Sequence, residues 1–283
     1  MAQNLTVSII IPNWNGRRLL ERNFPKVLQA QTERANRIRE IIVVDDKSTD
    51  SSVDYLKKNF ASQFKLIQHK ENRGFSAAVN TGVRMASSGL VCLLNTDVGP
   101  SKNFLEEAIS HFKSKKVFAV SFHEKGYGYA LARFSKGFIG HQPGEEERKA
   151  MPTFWVSGGS GVFRRNIWMK LKGLDEELLS PFYWEDIDIC YRALKRGYQL
   201  LWEPKAEVVH HHEATINLNN FNKRRLDIIK ERNQLLFIWK NLTSPILFKK
   251  HLSGLFSRIV KHPGYMIPVL TAVLKIGTLR RLR

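Results

Sequence analysis

The sequence predicts an α/β fold: a doubly wound, mostly parallel sheet followed by a basic, amphipathic helical extension. Three observations predict it. Short, wholly apolar runs alternate with helical stretches through about the first hundred residues. A stretch rich in Gly and aromatic residues then interrupts the alternation. From Arg232 to Arg283 the chain carries ten Lys or Arg and no Asp or Glu.

The elements follow in order. VSIII at 7–11 is apolar and β-branched, and Pro12 and Asn13 end it; this is how a strand buried on both faces reads. EIIVV at 40–44, FKLIQ at 64–68 and LVCLL at 90–94 repeat the pattern. Helical stretches lie between them at about 18–31, 52–60 and 75–87, the arrangement of a parallel sheet with crossover helices. A fifth strand is expected at 117–121. Residues 127–144 read as hairpins or a mobile loop, and 145–149 form a charge cluster. Regularity returns at 155–164, then in a helix from about Trp184 to Arg196 closed by Gly197, then in strands at 199–202 and 207–209. The composition turns basic and apolar beyond Thr215. The expected division is therefore a main domain over 1–215, with halves at about 1–100 and 101–215, and a helical extension over 216–283.

At 283 residues and 43% hydrophobic, the chain can bury a large core. Its two cysteines, Cys92 and Cys190, lie in apolar segments and suggest no disulfide framework, as expected in a reducing compartment. No charged and then apolar leader opens the sequence, so secretion is not expected. The net charge of +19 admits nucleic acid, anionic lipid or an acidic protein as partner.

In an open α/β sheet ligands bind beyond the carboxyl ends of the strands. Those ends carry Pro12 and Asn13, then Asp45 and Asp46, then Asn95, Thr96 and Asp97. The aspartate pair fits a turn with a helix cap at Ser48 or Asp50, or carboxylates that accept from a base or a ribose hydroxyl. NRGFSAAVNTG at 72–82 fits close helix–sheet packing; it is not a GxGxxG fingerprint, and no GxxxxGK[ST] loop occurs. Asp97 fits an Asx-turn or a hard cation such as Mg²⁺ or Mn²⁺ shared with a diphosphate. Glu185, Asp186 and Asp188 suit the first turn of a helix on dipole grounds alone. Asp186 lies beside the apolar stripe Ile187, Cys190, Tyr191, Leu194, where a general base at a cleft edge would stand. Of His210, His211 and His212, at most two share a strand face, and no zinc spacing supports them.

Six segments in order resemble the family 2 inverting glycosyltransferases of the GT-A fold, and among them the rhamnosyltransferase-like branch: VSIIIPNWNG, EIIVVDDKSTD, NRGFSAAVNTG, LLNTDV, the stretch from WVSGGSGVF to WEDIDICYRALKRGY, and WEPKAEVVHHHEAT. The resemblance runs from about residue 7 to 215. It implies that Pro12, Asn13, Asp45 and Asp46 line a nucleotide pocket, and that Arg73, Gly74 and Asn80 lie near ribose and diphosphate. Asn95, Thr96 and Asp97 stand at the family's DxD position, with Asp97 on the divalent ion and His210 closing that site. Gly158 and Gly159 would wall the donor sugar and acceptor, Asp186 would be the catalytic base, and Glu185 would stand beside it. Thr96 replaces the proline of an Asn-Pro-Asp variant, and Lys47 replaces a usual glycine; neither change removes a carboxylate. The implied function is inverting transfer of a sugar, with rhamnose suggested, from a dTDP- or UDP-type donor to a glycan or lipid-linked acceptor. A sugar nucleotidyltransferase is disfavoured because PNWNGRR is a poor match to its glycine-rich loop. A catalytically silent membrane-bound subunit is disfavoured by retention of Asp45, Asp46, Asp97 and Asp186.

In the tail, Phe248, Leu252, Leu255, Phe256 and Ile259 recur at helical spacing, with Lys249, Lys250, Arg258 and Lys261 on the remaining arc. The next apolar stretch, 265–274, contains Pro268 and is shorter than the roughly 20 residues a bilayer span needs. The expectation is a peripheral contact with the cytoplasmic face of a membrane. The alternative is an apolar stripe packed on the main domain or on a second subunit. Nucleic acid is not expected, because no recognition module is present.

Overall fold

A computed structural model of the chain describes residues 5–211 and 222–281. The boundary expected at Thr215, and His212, lie outside the described residues.

The chain runs β1 (Val7–Asn13), α1 (Arg17–Thr32), β2 (Ile38–Asp45), α2 (Ser52–Phe60), β3 (Lys65–Gln68), α3 (Phe75–Met85) and β4 (Leu90–Leu94). It continues through β5 (Val98–Pro100), α4 (Glu106–Ser110), β6 (Val117–Glu124), the hairpin β7 (Ala130–Ser135) and β8 (Phe138–Pro143), β9 (Met151–Pro152) and β10 (Ser160–Arg164). Then come α5 (Arg165–Lys170), α6 (Glu185–Leu194), β11 (Gln199–His210), α7 (Lys223–Asn241), α8 (Pro245–Lys261) and α9 (Met266–Arg281). The strand expected as two pieces at 199–202 and 207–209 is the single β11, with a register irregularity between Glu203 and Glu207.

The described residues form a nine-stranded sheet in the order β3-β2-β1-β4-β10-β6-β11-β5, with β9 on β11. The first four strands pair parallel, as the apolar runs require. Beyond them the sheet is mixed. β10 runs antiparallel between β4 and β6, β6 and β11 are parallel, and β5 lies antiparallel on β11. Alternate residues of β1 feed two cores. Ile9 and Ile11 join Leu20, Phe24 and Val43 on one face, while Ile10 joins Ile42, Val79 and Trp168 on the other. Each such fully buried aliphatic side chain contributes about 1.5–3 kcal/mol. Cys92 and Cys190 are free and buried.

A third core joins Phe138 and Ile139 of the hairpin, Ile187 of α6, 235–238 of α7 and Ala272 of α9. The tail stripe divides here. Phe248, Leu255 and Ile259 pack on this core, whereas Leu252 and Phe256 are 50% and 70% exposed. His251 is fully buried; its Nδ1 donates to Gly137 O (2.8 Å) and its Nε2 accepts from Trp239 Nε1 (2.9 Å), so α8 is latched to the hairpin.

Candidate active site

The parallel pairing of β1, β2 and β4 brings the expected strand ends together. Asn13 stands opposite Asp45 in register, and Asp46 N donates to Asn13 O (2.8 Å). A cavity of about 260 Å³ opens over these ends, lined by Pro12, Asn13, Trp14, Asp46, Asn72, Gly74, Phe75, Ala78, Asn95, Thr96, Asp97, Pro181 and Phe182. Asn13 donates its amide to Asp45 Oδ1 (2.7 Å) and Ser52 Oγ (3.0 Å), while its buried Oδ1 meets no donor.

The two aspartates after β2 differ. Asp45 does not line the cavity; its carboxylate accepts from Asn13 Nδ2, Ser48 Oγ (2.6 Å) and Ser48 N (3.1 Å), and so shapes the loop before α2. Asp46 lines it and organises the facing loop, accepting from His69 Nδ1 (2.7 Å), Arg73 N (2.9 Å) and Gly74 N (2.7 Å). Gly74 has φ +85°, a backbone conformation that favours glycine. The Arg73 guanidinium pairs with Glu176 at 3.1 Å. Asn80 also stands outside the lining. Its amide donates to Leu174 O and Glu176 Oε1, and its oxygen accepts from Trp168 Nε1 and Leu174 N. Three of its four hydrogen bonds hold the 174–176 turn, and the fourth ties it to Trp168.

Asp97 is 1% exposed, and neither carboxylate oxygen has an aligned donor. The pairing of Val98 with His210 brings the imidazole beside it, with Nε2 at 3.3 Å from Asp97 Oδ2 and Nδ1 at 3.4 Å from Glu124 Oε2. Burial disfavours the imidazolium, but the two carboxylates outweigh it and hold His210 above its ordinary pKa. Glu124 gave no signal in the sequence, since a single Glu at a strand end has no distinguishing neighbours. Among the described residues no group of three potential ligands converges on one point.

Asp186 sits half-buried in the first turn of α6. Its Oδ1 accepts from Ile187 N (2.8 Å) and its Oδ2 from Gly158 N (3.3 Å). Burial pushes its carboxyl up to about 6 despite those donors. Glu185 is buried, with Oε2 unpartnered; burial and the neighbouring Asp186 charge hold it well above the ordinary carboxylate range. Gly158 and Gly159 tie the two sides of the site together. Asn95 N donates to Gly159 O (2.9 Å), and a Cβ on Gly158 would lie between Phe75 (3.4 Å) and Asp186 (3.5 Å). Across this wall lies a second cavity of about 370 Å³, lined by His141, Trp155, Tyr183, Trp184, Glu185, Asp186, Ile187, Lys230, Glu231 and Gln234.

The sequence reading missed the aromatic walls and the part played by α7. Tyr183 and Trp184 are consecutive residues in left-handed conformation (φ 73° and 76°), a cost of order 1–3 kcal/mol each. Asn233 Nδ2 donates to the carbonyls of Leu179 (2.7 Å), Phe182 (2.9 Å) and Tyr183 (3.0 Å), holding that loop from the extension. The run PFYWED, with three aromatics before two acids, was the available signal.

Comparisons with known proteins agree with this fold. The chain is 28% identical over 184 residues to a pre-mycofactocin glycosyltransferase of Mycobacterium tuberculosis, covering 62% of this chain and 38% of that protein's length. It is 22% identical over 222 residues to an O-antigen chain rhamnosyltransferase of Salmonella anatum, covering 74% and 67% of the two. Among solved structures, GalNAc-T7 with UDP, GalNAc and Mn²⁺ superposes with a TM-score of 0.68 at 16% identity, covering 94% of this chain and 58% of the other. A mannosyltransferase from Pyrobaculum calidifontis in complex with GDP-Man and Mn²⁺ superposes with a TM-score of 0.61 at 17% identity, covering 96% and 81%. The sequence profile of glycosyl transferase family 2 matches residues 8–171, more than half of the chain, and the chain belongs to that family.

Proposed function

We propose that the chain is an inverting glycosyltransferase that moves a sugar from a nucleoside-diphosphate donor in the first cavity to a hydroxyl of an acceptor in the second. The observation that carries this is the placing of Asp186, a carboxylate with a raised pKa, at the wall between two cavities. Asn13 Oδ1, buried without a donor, suits an N–H of the donor's base or a ribose hydroxyl.

A divalent ion fits the residues present. Asp97 is a buried carboxylate whose oxygens have no aligned hydrogen bond beyond the 3.3 Å approach of the His210 ring, and a hard cation offsets the cost of burying it. Asp97 and His210 would hold Mg²⁺ or Mn²⁺, with diphosphate oxygens completing the set. When bound, the ion offsets negative charge on the leaving diphosphate. The neighbours solved with Mn²⁺ support this choice.

The reaction is a single displacement. The acceptor oxygen forms its bond to the anomeric carbon as the bond to the diphosphate breaks, and the nucleoside diphosphate leaves with the electron pair. The acceptor proton passes to Asp186, and the configuration at carbon inverts. A base with a pKa near 6 is ionised at neutral pH and still takes up a proton readily. The backbone amides of Gly158 and Ile187 fix its orientation. Glu185 stands in the same cavity as a further contact for acceptor hydroxyls. The resemblance to an O-antigen chain rhamnosyltransferase supports rhamnose as the sugar and a glycan as the acceptor; a dTDP- or UDP-type donor and a lipid-linked acceptor at the cytoplasmic face of a membrane belong to the same proposal.

The test is a panel of dTDP-rhamnose and UDP-, GDP- and ADP-sugars, with Mg²⁺ or Mn²⁺, read for binding and transfer. Metal-dependent binding of one donor class is expected. Absence of metal-dependent binding to any of them would sink the proposal.

A further inference from the structure

Among the described residues nothing covers the outer faces of α8 and α9. Among the described residues, fourteen large hydrophobic side chains are exposed, and nine of them belong to these two helices. Such concentration marks an interaction site rather than ordinary scatter. On α8, Leu252, Phe256 and Val260 follow one another at four-residue spacing and are 50–70% exposed, opposite the buried His251. On α9, Leu270, Val273 and Leu274 share an arc and are 53–68% exposed.

The chemistry around these arcs identifies what covers them. Lys249, Lys250 and Lys261 are exposed on α8, and no acidic residue occurs from Arg232 onward. Apolar side chains set among unopposed cations match an anionic bilayer interface, where hydrocarbon takes the former and headgroups the latter. Among the described residues no helix is long and apolar enough to cross a membrane, so the face would lie on the bilayer.

The opposite side of α9 reaches the catalytic loop. Lys275 Nζ donates to Ser180 O (2.7 Å), and Arg232 Nη2 donates to the same carbonyl (2.6 Å). Together with Asn233 they hold four carbonyls of the 179–183 loop, those of Leu179, Ser180, Phe182 and Tyr183, in the segment that supplies Phe182 to one cavity and Tyr183 to the other. We propose that the outer face of α8 and α9 docks on an anionic bilayer, and that docking steadies the 179–184 loop through Lys275, Arg232 and Asn233. The second part rests on the reading of Asp186 as the base that this loop positions.

The test uses the full chain with vesicles of phosphatidylcholine alone and of phosphatidylcholine mixed with phosphatidylglycerol. Co-sedimentation with the mixed vesicles only, weakened by salt, is expected. Phe256→Glu and Leu270→Glu should each lower partition by roughly tenfold while leaving the unfolding midpoint unchanged. Amide hydrogen exchange at 182–186 should slow on vesicle binding, and Lys275→Met should bind vesicles yet lose that slowing. No binding, or equal binding to both vesicles, overturns the docking face. So does a dimer that Leu270→Glu dissolves in a protein that ignores vesicles, since a second copy then covers the face. Binding with unchanged exchange overturns the link to the loop. None of these readouts needs a sugar donor, so they stand or fall separately from the transferase assay.

Discussion

Replacing Asp186 by Asn separates its proposed catalytic role from its cost to the fold. Burial raises this carboxyl from 3.8 to about 6. At about 1.36 kcal/mol per pH unit, holding it ionised in the folded chain costs about 3 kcal/mol. Between pH 3.8 and about 6 the folded chain keeps a proton that the unfolded chain has released, so this residue makes stability fall as pH rises. Asn escapes that penalty. Its single oxygen can accept from only one of Gly158 N and Ile187 N, a loss of about 1 kcal/mol. At about pH 7.5 Asp186→Asn is therefore expected to be about 2 kcal/mol more stable than the parent chain, and near pH 4 equal or slightly less stable. Urea unfolding at the two pH values measures the difference. In the same variant donor binding should persist while transfer falls by roughly 10²- to 10⁴-fold. A stability difference that stays flat with pH would refute the burial argument, and lost donor binding in a folded variant would refute the assignment as base.

Asp97→Asn should fold normally and lose metal-dependent donor binding, measured by calorimetry with and without Mn²⁺. Gly159→Ala and Gly158→Ala form a contrasting pair. A Cβ at Gly159 meets the Asn95 amide, with Cγ at 2.6 Å, and should weaken donor binding by roughly tenfold or more. A Cβ at Gly158 makes only ordinary contacts and should leave unfolding unchanged. Asn80→Ala leaves Trp168 Nε1 and the Leu174 amide unpaired in the interior, so it should cost about 2–4 kcal/mol in thermal or urea unfolding.

The first half of the main domain was readable because of how parallel strands are buried. With both faces covered, 7–11, 40–44 and 90–94 appear as unbroken apolar runs, and the polar residue that ends each run marks the site. Pairing order is another matter. That β10 enters antiparallel beside β4 depends on contacts far apart in sequence, and without it Gly159 does not meet Asn95. Asn80 illustrates a second gap. Residue type and position suggest a ligand contact equally with a buried clamp, and only the turn at 174–176 distinguishes them. The tail stripe was legible as amphipathic, but a helical repeat does not state what lies against it. Phe248 and Leu255 pack on protein, whereas Leu252 and Phe256 stay half or more exposed among the described residues.

The hold of Asn233 on the 179–183 carbonyls has a consequence for exchanging parts between relatives. The profile match ends at residue 171, before Asp186 and before every residue of that clamp. A hybrid spliced at the end of the match would inherit its proposed base and aromatic walls from one parent as a block with α7. One spliced after β11 would set a foreign α7 against a native loop, with three carbonyls seeking an amide at the right place. The first junction should give working hybrids with the second parent's acceptor preference, and the second should give folded but idle ones.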